Sequence, residues 1–133
     1  MTTHLQVGSK LPAYCTSLGK ILLAYKPYDE VKEIFESIEL KSYTPYTIKD
    51  LESLKRDLEI IRENGYAVNN QELEIGLLSA AAPVYDQKGK VVTAINISMS
   101  SARVSLDELR KKFIPVLLQT AKDISNALGY YEI

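Results

Sequence analysis

Residues 77–100 read LLSAAAPVYDQKGKVVTAINISMS. Two apolar runs, Leu77–Tyr85 and Val91–Ser100, flank the residues Asp86, Gln87, Lys88 and Gly89, whose types favour a turn. Hydroxyl and amide side chains are interspersed among the apolar residues of both runs. The stretch therefore predicts a β-hairpin whose arms carry polar groups in addition to core residues.

The polar residues of the second arm fall on one face of its strand. Because side chains alternate along a strand, Asn96 and Ser98 share a face. The opposite face carries the predicted core residues Thr93, Ile95, Ile97 and Met99. Ser79 of the first arm joins the polar pair if the register places it opposite Ser98 or Asn96, whereas a slip of one residue separates the three groups. That register is therefore a prediction.

Residues 11–25, LPAYCTSLGKILLAY, predict a loop followed by a helix over Ser17–Tyr25. Thr16 or Ser17 is available as the N-cap, and Pro27 ends the helix. We expect the inner side of this helix to consist of Leu18, Ile21, Leu22 and Tyr25. The first turn of a helix has N–H groups without helical partners, so a helix start that faces the hairpin is suited to hold a small carboxylate.

The remaining elements complete an α+β pattern. Before the hairpin we predict a strand at Thr3–Val7, helices at Asp29–Ser37 and Asp50–Asn64, and a strand at Tyr66–Asn70. After it, Leu106–Leu128 predicts a long closing helix with a kink at Pro115. The predicted inner face of the second helix is Val31, Ile34, Phe35 and Ile38. That of the closing helix is Leu106, Leu109, Phe113, Leu117, Ile124 and Leu128. This order of elements favours an α+β fold with an antiparallel sheet flanked by helices.

Composition limits the class of protein. The chain has 133 residues, and we expect residues 1–133 to form a single domain. Its formal net charge of −1 provides no basic surface for nucleic acid. No apolar run approaches the roughly 20 residues that cross a membrane. The single cysteine, Cys15, excludes an internal disulfide and fits a reducing, cytoplasmic location.

The polar residues of the hairpin are suited to an anion. Ser79, Asn96 and Ser98 are neutral donors, and each costs about 1–3 kcal/mol if it is buried without a partner. A carboxylate can accept from all three and from the free N–H groups at the helix start, and such charge-assisted bonds are stronger than neutral ones. Apolar walls for the ligand then come from Leu11, Leu18 and Leu77. Alternatively, the polar side chains bond to nearby backbone or face solvent.

Other chemistries are less well supported by the sequence. His4 and Cys15 are the only residues of their kinds, so we expect no metal site and no cofactor. Cys15 lies near a helix start, which lowers a thiol pKa, so a small cysteine-dependent enzyme with His4 as its base is one alternative. The other interpretation of Cys15 is a packed apolar side chain. Gly19-Lys20 does not complete a phosphate loop because Tyr14 replaces the earlier glycine, and we expect the Lys20 ammonium to be solvated.

Four motifs occur together in an order that is specific. Residues 11–24 match the pattern LP-x-H/Y-x-x-x-x-GK-x-LLA, and residues 65–76, GYAVNNQELEIG, match GYA-x-D-x-EE-x-x-x-G. An AAPV-D-x-x-G turn follows at 81–89 and an I-x-I-S strand at 95–98. From Val7 onward the chain resembles the effector-binding domain of the IclR family of bacterial transcriptional regulators. Its first motif is similar to that of the family branch whose members control aromatic-acid catabolism through the β-ketoadipate pathway.

The resemblance implies a GAF-like fold and a set of ligand contacts. In that family the carboxylate is held by backbone at the start of the LGK helix, which corresponds to Ser17 and Leu18 here. The other implied contacts are Asn69, Leu77, Ser79, Asn96 and Ser98, to which the pattern analysis adds Leu11. This sequence departs from the family at several of these positions: Asn69 replaces an acid, Ser79 a cysteine and Asn96 a serine. We therefore expect anion binding to survive but do not transfer the identity of the ligand.

The resemblance also implies the wider role of the chain. It predicts a sensor that catalyses nothing, binds a small organic acid such as an aromatic acid, and forms a homodimer or tetramer. DNA would be contacted only through a winged-helix domain, which this chain lacks together with the family's first helix and strands. The chain is thus expected to be a fragment with an unpaired sheet edge, which favours association. A pure oligomerisation scaffold with no ligand is the alternative.

Overall fold

The computed structural model describes residues 12–131. The predicted strand Thr3–Val7, His4 and the predicted site residue Leu11 lie outside the described residues. The predicted α+β architecture is confirmed: helices precede a three-stranded antiparallel sheet, and a further helix follows it.

Three helices form the first half of the described chain. A 3-10 turn at Ala13–Cys15 leads into α1 (Ser17–Ala24), followed by α2 (Tyr28–Ser37) and α3 (Leu51–Asn64). Side chains stop the first and third helices from fraying at their starts: Thr16 Oγ1 accepts the Gly19 N–H of α1, and Asp50 accepts the Ser53 N–H of α3. Gly65, in the left-handed conformation at φ 79°, ends α3 as the sequence predicts.

The sheet has the order β1–β2–β3, with β1 at Ala67–Asn70, β2 at Leu77–Tyr85 and β3 at Val91–Ser100. Both hairpin arms have the predicted bounds. Ser79 lies opposite Ser98, so the predicted register is confirmed. On its other side Ser79 lies opposite Asn69 of β1.

A core lies on each face of the sheet. On one face, Ala67 and Ala81 pack with residues of α1, α2 and α3. On the other, alternate residues of β2 pack against the closing helix; they are Leu78, Ala80, Ala82 and Val84. Helix α1 contacts all three strands and α3, so it is covered on two sides.

This double covering corrects part of the predicted inner faces. In α1, Ile21, Leu23 and Ala24 are buried, whereas Leu22 is 42% exposed because it points away from both the sheet and α3. In α2, Val31 and Phe35 are buried as predicted. Ile34 and Ile38 are exposed, because α2 buries only a narrow stripe.

The closing helix is interrupted rather than simply kinked. It consists of one turn, α4 (Leu106–Glu108), a π-helical segment at Leu109–Phe113, and α5 (Ile114–Ala127), with Pro115 in the first turn of α5. A proline has no N–H and its ring presses on the carbonyl four residues earlier, so a wider π turn before it relieves the clash. In that turn the Ile114 N–H reaches the Leu109 carbonyl, five residues back.

The five-residue step changes which residues face the core. After Leu109 the buried positions are Ile114, Leu117, Ala121 and Ser125. The predicted stripe is wrong at Phe113, Ile124 and Leu128, which are exposed. At Phe113 the reason is the five-residue step, which brings Ile114 to the core instead. At Ile124 and Leu128 the reason is that the buried positions of α5 continue in steps of four from Leu117, through Ala121 to Ser125.

Candidate functional site

The first turn of α1 presents free backbone donors to the sheet. Thr16 satisfies two of the amides that follow it, because its Oγ1 accepts from Gly19 N–H at 3.1 Å and its carbonyl accepts from Lys20 N–H at 3.0 Å. The N–H groups of Ser17 and Leu18 donate to no atom of residues 12–131. A helix end of this kind attracts anions through its unpaired amides and its dipole.

Gly19 allows this turn to lie close to the preceding chain. A Cβ built at Gly19 would lie 2.4 Å from Ala13 Cα, 2.5 Å from Ala13 O and 2.7 Å from Thr16 Oγ1. Two of those atoms belong to the backbone and cannot rotate away. Only glycine at this position therefore permits the 3-10 turn to pack against the start of α1.

A row of polar side chains crosses the sheet beneath α1. Asn69, Ser79 and Ser98 are neighbours on β1, β2 and β3, and Asn96 lies one step along β3 on the same face. The Ser79 hydroxyl donates to Ser17 Oγ at 3.0 Å, which joins the row directly to the start of α1. Ser79, Asn96 and Ser98 thus share one face of the sheet, in one of the registers that the strand alternation allows.

The row of polar side chains is buried at the β1 and β2 end and exposed to solvent at the open end on β3. Ser17, Asn69 and Ser79 are buried, whereas Asn96 and Ser98 are exposed and linked only by a long contact of 3.4 Å from Asn96 Nδ2 to Ser98 Oγ. Leu18 and Leu77 are half-buried at the same site, with Leu18 against the core around α1 and Leu77 two residues before Ser79 on β2. A ligand would therefore enter from the β3 side.

Asn69 is fully occupied by backbone groups. Its Nδ2 donates to the Cys15 carbonyl, and its Oδ1 accepts the Glu72 N–H at 2.9 Å. The loop that follows β1 is held from the other side as well, since the hydroxyls of Thr44 and Thr47 donate to the Gln71 and Glu72 carbonyls at 2.6 Å. Asn69 thus links two backbone segments.

The prediction that the Lys20 ammonium is solvated is wrong. Its side chain is 1% exposed, and its Nζ lies 2.6 Å from Asp57 Oδ2. It also lies 2.7 Å and 2.6 Å from the two carboxylate oxygens of Glu72. Because α1 runs between the sheet and α3, position 20 faces inward, and the ammonium can be charged there only with carboxylates beside it. Burial raises the pKa of Glu72 above its ordinary value, although the neighbouring Lys20 charge acts in the opposite direction.

The Lys20–Glu72–Asp57 cluster could not be predicted from the sequence. The partners stand 37 and 52 residues from Lys20, so no local spacing connects them. The one signal in the sequence is that Gly19-Lys20 and Gln71-Glu72 belong to the motifs at 11–24 and 65–76, which occur together in the same family.

Cys15 is a packed thiol rather than an activated one. It is completely buried, and burial raises its pKa to about 12, with the Glu72 charge acting in the same direction. The expectation that the helix start lowers this pKa is wrong, because desolvation outweighs it. The thiolate that a cysteine nucleophile requires is therefore strongly disfavoured.

Among the cavities elsewhere on the described chain, two lie against α5. One of about 240 Å³ lies between the end of β2 and α5, where the rings of Tyr85 and Tyr130 stack at 4.9 Å. Another, about 520 Å³ and open, lies between β3 and α5 and is lined mainly by Ile95, Ile97, Phe113, Val116 and Ile124. Within residues 12–131 no group of three or more His, Cys, Asp or Glu residues is placed to hold a metal ion. In the same range, no helix has both the length and the apolar character needed to cross a bilayer.

Comparison with known proteins identifies the class. Residues 1–126 match the family model described as the bacterial transcriptional regulator IclR C-terminal domain. The chain therefore belongs to this family, as the motifs at 11–24 and 65–76 predict.

Individual relatives agree with that assignment. The Pca regulon regulatory protein of Pseudomonas putida is 41% identical over 128 residues, which cover 96% of this chain and 44% of that protein. The structure of a transcriptional regulator from Rhodococcus sp. RHA1 is 42% identical with a TM-score of 0.90, covering 97% of this chain and 52% of that one. The PobR inducer-binding domain from Acinetobacter, a double mutant in complex with 3-hydroxybenzoic acid, is 33% identical with a TM-score of 0.87, covering 92% and 70%.

The relatives define the general role of the domain. They are named as transcriptional regulators rather than enzymes, in agreement with the expectation that the chain catalyses no reaction. The chain is the C-terminal domain of an IclR-type regulator, and its relatives include the Pca regulon regulatory protein and PobR. It spans about half the length of the curated relatives it matches.

Proposed function

We propose that this domain senses a small organic acid, and that an aromatic carboxylate such as 4-hydroxybenzoate or protocatechuate is the best-supported class. The observation that supports this most is the hydrogen bond between the Ser79 and Ser17 hydroxyls, which places the first turn of α1, with its free Ser17 and Leu18 amides, beside the polar row of the sheet. The PobR inducer-binding domain, solved with 3-hydroxybenzoic acid, supports the choice of an aromatic acid.

The proposed binding mode uses backbone first and side chains second. The carboxylate accepts from the Ser17 and Leu18 N–H groups at the start of α1. The Ser17 and Ser79 hydroxyls exchange their mutual hydrogen bond for bonds to the anion, which is favourable because charge-assisted bonds are roughly twice as strong as neutral ones. Asn96 and Ser98 supply further donors at the open end, and Leu18 and Leu77 form the apolar wall.

Lys20 is excluded from direct recognition of the acid in this proposal. Its ammonium is already within 2.7 Å of two carboxylates, and these compensate its positive charge, so it does not attract a further anion. Recognition therefore depends on neutral donors and on the helix dipole. Such a site selects for a carboxylate through geometry rather than through a salt bridge.

Calorimetric titration of the chain with 4-hydroxybenzoate, protocatechuate and a β-keto dicarboxylate tests the site. Ser79→Ala and Asn96→Ala remove one donor each, and we expect each to weaken binding by roughly tenfold or more, the effect of losing a hydrogen bond to a charged group. Thr93→Ala is the matched control, since it removes a side-chain hydroxyl from the opposite face of β3. Unchanged affinity in both Ser79→Ala and Asn96→Ala would refute the site.

We further propose that the acid acts by shifting an equilibrium between quaternary arrangements. In a longer regulator of this family, the DNA-binding domains would then change their spacing with effector occupancy. The homodimer or tetramer this requires is supported by the edge position of β3 in the sheet formed by residues 12–131 and by the exposed apolar side chains of α5, including Val116 at 65% exposure.

The same surface supports a second candidate function, an oligomerisation scaffold with no ligand. Its basis is the open apolar groove between β3 and α5. Light scattering separates the two: Val116→Lys should dissociate the oligomer in either case, but only a sensor changes its mass or melting temperature when acid is added. Melting that is independent of every tested acid would favour the scaffold.

A further inference from the structure

Asn69 is buried, and both ends of its carboxamide meet backbone groups. Its side chain is 1% exposed. Its Oδ1 accepts the Glu72 N–H, and one of its Nδ2 hydrogens is donated to the Cys15 carbonyl.

Only a carboxamide fits between these two partners. Nδ2 faces a carbonyl, which needs a donor, and Oδ1 faces an N–H, which needs an acceptor. A carboxylate of the same shape accepts from Glu72 but meets the Cys15 carbonyl with an oxygen that has no hydrogen to donate. The amide at position 69 is therefore matched to these two backbone partners.

The two segments that Asn69 joins are those that define the anion site. Cys15 immediately precedes Thr16, which caps α1, and Ser17, whose hydroxyl accepts a hydrogen bond from Ser79. Glu72 binds Lys20, one turn into the same helix. The first turn of α1 is thus fixed to the end of β1 at two points, through Asn69 to Cys15 and through Glu72 to Lys20.

We propose that Asn69 is a positioning residue of the anion site: by bridging the Cys15 carbonyl and the Glu72 amide, it holds the start of α1 in the orientation that directs the Ser17 and Leu18 amides at the ligand. This inference rests on the proposed function for its consequence in binding. The structural half of the inference is that Asn69 holds the first turn of α1 in place. This half does not depend on a ligand.

Hydrogen exchange measured by NMR on the whole chain tests the structural half. Asn69→Asp and Asn69→Ala each remove the bond to Cys15, and both should speed exchange of the Gly19 and Lys20 amides by roughly tenfold, as expected for the loss of one buried hydrogen bond. The Leu117 amide in the other core serves as the internal reference and should not change. Asn70→Asp and Asn70→Ala are the matched controls, since Asn70 is the exposed neighbour.

A wild-type measurement keeps the test valid if the Asn69 variants do not fold. The Asn69 carboxamide protons should exchange far more slowly than those of exposed Asn70. Equal rates at the two side chains, or Gly19 and Lys20 amides unaffected in folded Asn69 variants, would overturn the inference.

Titration with 4-hydroxybenzoate tests the consequence for binding. Asn69→Asp and Asn69→Ala should both weaken affinity by about tenfold, with the Asn70 variants unchanged. Weakening in Asn69→Asp alone would indicate charge repulsion and overturn the inference. If the wild type binds no acid while the exchange differences are present, the proposed function fails and the positioning of α1 stands.

Discussion

Lys20 is the residue whose surroundings constrain the site most strongly. Its ammonium is buried between Asp57 of α3 and Glu72 of the loop after β1. Burial of charges is expensive, so such a cluster is weak evidence for net stabilisation, but removing one member leaves another charge without compensation. The cluster therefore ties three segments together through the cost of separating them.

Replacement of Lys20 by Met should lower the free energy of unfolding by about 3–5 kcal/mol, the range for breaking a buried ion pair. Urea denaturation measures this. Lys26→Met is the matched control: Lys26 is exposed and lies 4.0 Å from Glu30, so its loss should change stability by less than about 1 kcal/mol. Equal, small effects of the two substitutions would contradict the importance of the cluster.

Glu72 gives the fold a pH dependence with a defined sign. Burial raises the folded-state pKa of Glu72 above its ordinary value of 4.5, so the folded state holds this proton more tightly than the unfolded state. Its contribution to stability is therefore fully present below pH 4.5 and is lost as the pH rises through the folded pKa.

The difference in unfolding free energy between wild type and Glu72→Gln tests that sign. Across a window that begins near pH 4.5, the wild type should lose stability relative to Glu72→Gln as pH rises, because glutamine does not titrate. Urea titrations at several pH values measure the difference. The opposite slope would mean that the attraction of Lys20 outweighs burial.

Gly19→Ala should destabilise the domain by about 1–3 kcal/mol, the range for an overpacked site, because the added Cβ meets the Ala13 backbone. Gly65→Ala is the matched control: its Cβ meets nothing within 4 Å, and only its positive φ opposes the substitution. The control should therefore cost about 1 kcal/mol in thermal unfolding. A smaller effect at Gly19 than at Gly65 would contradict the close packing of the 3-10 turn.

At the level of elements, the hairpin could be predicted because its information is local. Alternation in Val91–Ser100 and the turn residues before it predict both strands without reference to the rest of the chain, and the structure selects the register with Ser79 opposite Ser98. The closing helix could be predicted only in part. Pro115 indicates a disturbance, but spacing alone does not show that a π turn absorbs it and shifts the inner face by one residue.

The hairpin turn depends on the Asp86 carboxylate. Its Oδ1 accepts the Lys88 and Lys90 N–H groups at 2.9 and 3.0 Å, and these bonds hold the pKa of Asp86 below its ordinary value. We expect Asp86→Ala to lower the melting temperature more than Asp86→Asn, because an amide oxygen still accepts both N–H groups. Equal losses in a thermal melt would show that charge rather than turn geometry matters.

At the scale of the whole molecule, the sheet separates two functions. One face carries α1 and the candidate anion site, and the other carries α5 and the apolar groove proposed for association. The shared face of Ser79, Asn96 and Ser98 could be predicted from strand alternation. The Asn69 bridge and the Lys20 cluster could not, because both depend on contacts between segments 37 to 54 residues apart.

The central claim is that a carboxylate binds where the start of α1 meets the polar row. A 1H–15N NMR titration of the chain with 4-hydroxybenzoate tests it most directly. We expect saturable shifts of the Ser17 and Leu18 amides, with smaller shifts at Ser79 and Ser98. Shifts confined to the residues around the cavity at Tyr85 and Tyr130, with Ser17 and Leu18 unchanged at saturation, would contradict the account.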